Sequence, residues 1–203
     1  EVEKPSIFAD GDSVWVTWSE NSEIHLVKFH PSNPSAKVEY DCSNLYTPRD
    51  GFTPVITRIS YNGSSFVYVA YEADAVLIAW ALFKDGIYHS RGDVVSLPLG
   101  PDDDVPTSPS IVAHNALDFD LVWRKGTVVW YRRGHIEYDP KSYTYSILWF
   151  ATEEMVPLGN RPAVGAPTIS YCKDFSGGNV NAAIACETGA SARVSRVGRR
   201  DGV

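Results

Sequence analysis

Helical periodicity is missing from this sequence. No window of twelve or more residues keeps apolar groups at i, i+3, i+4 and i+7 without a glycine or proline interrupting it, so almost no helix is expected. Long apolar runs are missing too. The longest, Ala75 to Phe83, has strand length against the roughly 18 residues of a membrane helix, and a soluble chain with no membrane insertion is expected. Positive charge is in deficit: 18 Lys and Arg stand against 25 Asp and Glu, a net of −7, leaving no field to hold a phosphate backbone. Nucleic acid is therefore not an expected partner. There is no Gly-x-Ser-x-Gly elbow, no Gly-x-Gly-x-x-Gly turn and no Walker lysine, which argues against serine hydrolases and nucleotide enzymes. The five His residues lack the spacing of a helical zinc site, and Asp102-Asp103-Asp104 lacks the alternating ligands and glycine of a calcium loop. No metal or cofactor is expected. Glu1-Val2-Glu3-Lys4 has neither a basic leader nor an apolar signal core, as in a cytosolic chain, a mature secreted form or a domain cut from something larger.

What the chain does have is aromatic and β-branched residues. Six Trp, eleven Tyr and eight Phe, with many Val, Ile and Thr, suit half-buried pleated surfaces. They are also arranged in repeats. Pro5-Ser6-Ile7, Pro54-Val55-Ile56, Pro109-Ser110-Ile111 and Pro167-Thr168-Ile169 recur at intervals of 49, 55 and 58 residues. Each is followed by a polar turn and an alternating strand: Val14 to Trp18, Val67 to Tyr71, Phe119 to Trp123, and Ala182 to Cys186. The last column reads Trp18, Tyr71, Trp123, Cys186, and alternation places its aromatic members in the core. Third strands follow at Ile24 to Phe29, Val76 to Phe83, Thr127 to Arg132 and Ala192 to Val197. Fourth strands follow in three units only, at Lys37 to Cys42, Val94 to Leu99 and Tyr145 to Phe150. One all-β domain of four units (5–53, 54–108, 109–166 and 167–203) is expected, the last a strand short, and a β-barrel or β-sandwich remains as the alternative architecture.

With a Pro-Ser-Ile, a turn and a Val-Trp-Val-Thr-Trp strand in succession, the sequence resembles the β-propeller repeats of exported sialidase-like and lectin-like proteins. The resemblance covers most of the chain. The sialidase Asp-box, Ser-x-Asp-x-Gly-x-x-Trp, has no intact copy, since Phe8 to Trp15 lacks the leading serine, and so the resemblance implies no catalysis.

In an antiparallel meander the second-to-third and fourth-to-first connections emerge on one face. That face collects Glu20, Glu72, Arg124 and Glu187 from the second strands, and Tyr46, Arg49 and Arg161 from the long connections. These seven are the candidate ligand-binding residues. Aromatic faces suit pyranose rings, and charged groups suit vicinal hydroxyls. The expectation is a non-catalytic recognition module, secreted or on a virion surface, that binds a glycan or a cell-surface receptor and is able to form a homo-oligomer. A viral capsid spike or host-attachment domain and a glycoside hydrolase are the alternatives. Cys172 and Cys186, on neighbouring strands, can face each other as a disulfide with Cys42 free, or all three can be reduced thiols. Asn62-Gly63-Ser64 is a glycosylation sequon on a hairpin turn, Arg91-Gly92-Asp93 reads as a strand-entry turn, and Arg193, Arg196, Arg199 and Arg200 form a basic stripe able to steer an anionic glycan.

Overall fold

The computed structural model describes residues 5–42, 51–73, 77–94, 104–113, 117–150, 154–156, 162–173, 180–189 and 192–197. Among the described residues, strands follow one another without a helix. The first sheet is an antiparallel meander of β1 (Ser6–Asp10), β2 (Ser13–Glu20), β3 (Glu23–His30) and β4 (Asn33–Glu39). The second repeats that order with β5 (Gly51–Tyr61), β6 (Ser64–Ala73), β7 (Leu77–Lys84) and β8 (Ile87–Asp93). The third has β9 (Pro106–Ala113), β10 (Asp118–Lys125), β11 (Val128–Asp139) and β12 (Thr144–Trp149), and the short β13 (Glu154–Met155) also pairs with β11. The fourth has β14 (Thr168–Lys173), β15 (Val180–Glu187) and β16 (Ala192–Val197). Four separate sheets replace the barrel and sandwich alternatives. Among the described residues the last sheet has three strands, one fewer than the first two.

The hairpins close where the sequence supplies residues that tolerate a left-handed backbone. Asn21 and Ser22 (φ 53° and 66°), Asn62 and Gly63 (48° and 79°), and Asp85 and Gly86 (51° and 88°) each place both turn residues at positive φ, the twist that matches flanking strands. The proline of each unit has a different use. In β5 the register slips between Phe52 and Val55, and in β9 it slips opposite the Val122 to Arg124 stretch of β10. Each slip is a bulge at Thr53-Pro54 and Ser108-Pro109, where a residue without an N–H leaves no ladder bond unmade. The units are in matching register. Ser6 pairs with Thr17, Val55 with Ala70, Ser110 with Val122 and Thr168 with Ala185, so each proline lies beside one member of the Trp18, Tyr71, Trp123, Cys186 column.

Each sheet packs face on face against the next, with successive first strands adjacent, as the blades of a propeller do. Trp15, Ile24 and Leu26 of the first sheet meet Ile56, Val69, Tyr71 and Phe83 of the second. The second sheet's other face, with Phe66, Tyr68 and Leu82, meets Phe119, Leu121 and Trp123 of the third. Val122, Val129 and Tyr131 then meet Ile169, Ile184 and Cys186 of the fourth. Tyr71 and Trp123 thus look back on the preceding sheet and are buried. Trp18 belongs to the first sheet's other face, away from the second sheet, and is half-buried there. Its assignment to the core is corrected accordingly.

Two further expectations are corrected. The register puts Asn181 opposite Cys172, five residues and about 17 Å of strand from Cys186, too far for a disulfide. Cys186 is a free buried thiol whose Sγ lies 3.5 Å from the Gly165 carbonyl oxygen, and Cys42 is likewise free and buried. Arg91-Gly92-Asp93 is not a turn but the end of β8, paired with β7. The Asn62-Gly63-Ser64 sequon does lie at an exposed hairpin, and the basic stripe falls partly in β16, with Arg199 and Arg200 outside the described residues.

Candidate functional site

Backbone hydrogen bonds bring the second-strand ends and the fourth-to-first connections to one face. The Gly51 N–H, at the end of the first connection, donates to the Ser22 carbonyl of the β2–β3 turn at 2.9 Å. The Ala163 N–H donates to the Thr127 carbonyl of the β10–β11 turn at 2.8 Å, and the Val164 N–H donates to the Glu187 carbonyl at 2.9 Å.

Two of the charged side chains expected on this face, those of Glu72 and Arg124, hold the face together. Glu72 sits near the end of β6, and its Oε1 accepts bonds from the Thr53 hydroxyl and from the Ser108 N–H, the latter at 2.8 Å. Arg124 donates from Nη1 to the Val164 carbonyl at 2.7 Å. The Cβ and Oε2 of Glu187 occupy the space that a side chain on Gly165 would need. Glu20 ends β2 directly opposite Glu23. Tyr46, Arg49 and Arg161 lie outside the described residues. Charges at strand ends are within reach of neighbouring carbonyls and amides, and at two of these four positions, Glu72 and Arg124, that local use takes the side chain.

The same face carries a cleft of about 330 Å³ at the outer edge of the first sheet, lined by Trp18, Glu23, Ile24, His25, Leu26, Val27, Glu39, Tyr40, Asp41 and Cys42. It opens where the chain leaves β4. Val27 still pairs with Glu39 and the Tyr40 N–H donates to the Leu26 carbonyl at 2.9 Å, and Cys42 beyond them is buried in the core between the first two sheets. The floor is aromatic: the Trp18 indole and the His25 imidazole stack at 5.1 Å between centroids and 13° between planes. Tyr40 is fixed from below by the Trp15 indole N–H, which donates to its hydroxyl at 3.4 Å.

Electrostatics set the ionisation of two cleft residues. Lys37 reaches Glu39 at 2.6 Å, and this hydrogen bond and charge hold the Glu39 carboxyl below its usual range, so it is ionised at neutral pH. Burial, reinforced by the negative charge of Asp41, pushes the Cys42 thiol up to about 12, and it stays protonated and unreactive. Sequence reasoning nominated Glu20, the register partner of the lining residue Glu23, but missed the lining residues. Trp18 shares the alternation of Tyr71 and Trp123, so the sequence pattern does not mark it as half-buried.

No family model matches the chain, and no curated protein matches it. Among solved structures, the chain is similar to the Dos1 propeller at 13% identity and a TM-score of 0.48, with 98% of this chain and 49% of that one covered. It thus spans about half that structure's length. It is also similar to an alpha-L-arabinofuranosidase from Lactobacillus brevis at 11% identity and a TM-score of 0.52, covering 98% of this chain and 73% of the enzyme. A third is the GH43_1 enzyme from Xanthomonas citri complexed with xylose, at 9% identity and a TM-score of 0.33, with 100% and 89% covered. At these identities the likeness is one of fold alone.

Proposed function

We propose that the chain is a non-catalytic carbohydrate-recognition module whose ligand lies on Trp18 in the first-sheet cleft. The observation that carries this reading is the exposed half of the Trp18 and His25 stack inside a cleft rimmed by carboxylates. A pyranose buries its C–H face on such a ring, and its hydroxyls donate to Glu23, Glu39 and Asp41 around the rim. The cleft is of ligand size, with an apolar floor and a few polar groups that set orientation. The ionised Glu39 serves as a hydrogen-bond acceptor for a sugar hydroxyl.

Glycan-array screening of the wild type against Trp18→Ala and Glu23→Gln tests the proposal. Binding to a defined set of glycans is expected, lost in Trp18→Ala and weakened in Glu23→Gln. A wild type that captures no glycan, or an alanine variant that captures them equally well, would falsify it. Turnover of any member of a panel of chromogenic glycosides would replace it with the hydrolase reading.

A further inference from the structure

Thr53 and Ser108 share an unusual conformation. Both have left-handed backbones, at φ 43° and 56°, both stand immediately before a proline, and both are the first residue of a bulge in a first strand. That bulge position ordinarily takes glycine, because a Cβ is crowded there, and a following proline restricts the residue further. Strained residues persist only where their surroundings over-determine them. Here one atom does so for both. Oε1 of Glu72 accepts the Thr53 hydroxyl from its own sheet and the Ser108 N–H from the next sheet.

The two strained residues sit where connections land. Thr53 follows the connection whose other end, Tyr40 to Cys42, walls the cleft, and Ser108 closes the next connection on the same face. We propose that Glu72 is the positioning residue of the recognition face, its carboxylate latching the left-handed entries at Thr53 and Ser108 so that the first strands of two neighbouring sheets are held in one arrangement. The latch itself stands on geometry alone; its part in ligand binding rests on the carbohydrate reading.

Amide hydrogen exchange on the full chain tests the latch without any ligand. In Glu72→Ala the Ser108 amide should exchange at least about tenfold faster, as befits the loss of a charge-assisted bond, with Glu72→Gln intermediate and the amides of Val67 to Val69 unchanged. Unchanged exchange at Ser108, or equal acceleration throughout β6, overturns the proposal. Glycan affinity supplies the second measurement. It should fall in Glu72→Ala and return when Thr53→Gly and Ser108→Gly are added, because glycine adopts these angles without a latch. Fast Ser108 exchange with unaltered affinity overturns the positioning role. A wild type that binds no glycan sinks the carbohydrate reading alone, and the exchange comparison still decides the latch.

Discussion

Replacing Trp18 and Trp123 separately by alanine compares two members of one structural column that differ only in what lies behind them. Trp123 is 0% exposed, packed between the second and third sheets with Phe119, Leu121 and Tyr68. Truncation there removes a whole indole from a close-packed seam, at a cost of about 3–5 kcal/mol. That is a large share of the roughly 5–15 kcal/mol that holds a domain folded, and the variant should be close to unfolding at 37 °C. Trp18 is half-buried on a face that carries Ile7 at 66% exposure, and its main aromatic partner is His25. By area the loss is about 1–2 kcal/mol. Urea titration of both variants, with the slope checked for constancy, gives the comparison directly. Equal costs would refute the reasoning: Trp18 would then be covered as Trp123 is, and no ligand could use its ring.

Two smaller predictions come from groups the recognition site does not use. The Tyr68 hydroxyl is fully buried and has no hydrogen-bond partner among the described residues, so Tyr68→Phe should be neutral or stabilising by up to about 1 kcal/mol in the same titration. A loss larger than that would reveal a partner. His89 accepts the Tyr145 N–H at Nδ1 (3.4 Å) across the seam between β8 and β12, and burial followed by the Lys84 charge holds its pKa below the ordinary value. The unfolded chain takes up a proton near pH 6.5 while the folded chain resists it, so stability should fall as pH drops from about 6.5 through the lower folded value. Denaturation midpoints at pH 7 and pH 5 should differ less in His89→Gln than in the wild type, and an equal or larger difference would contradict this.

The repeat was legible in the sequence because proline has few places to go in a sheet. Four Pro-led segments announced four first strands, and the column beside them kept its register through every sheet. Outer strands were harder to place. The fourth strand of the first unit was expected at Lys37 to Cys42 and runs from Asn33 to Glu39, and that of the second was expected at Val94 to Leu99 and runs from Ile87 to Asp93. β4 is exposed along its whole length, so no alternation between core and solvent marks it. The left-handed bulges were hidden for a related reason, since Thr53 and Ser108 stand where a pattern search looks for glycine.

The site divided in the same way. In the sequence a charge at a strand end reads as a group aimed at a ligand, yet a carboxylate or guanidinium there can reach backbone groups of the next connection, and Glu72 and Arg124 do so. Desolvating such a group without a partner is costly, so a nearby amide or carbonyl outcompetes an absent ligand. The indole of Trp18 is in a different setting, stacked on His25. Its neighbours in the column are covered because a preceding sheet supplies apolar surface, whereas its own face meets the carboxylates of the cleft and His25. Equivalent positions in a repeat therefore share backbone geometry but not burial: Tyr71 and Trp123 are buried between sheets, whereas Trp18 keeps part of its ring exposed.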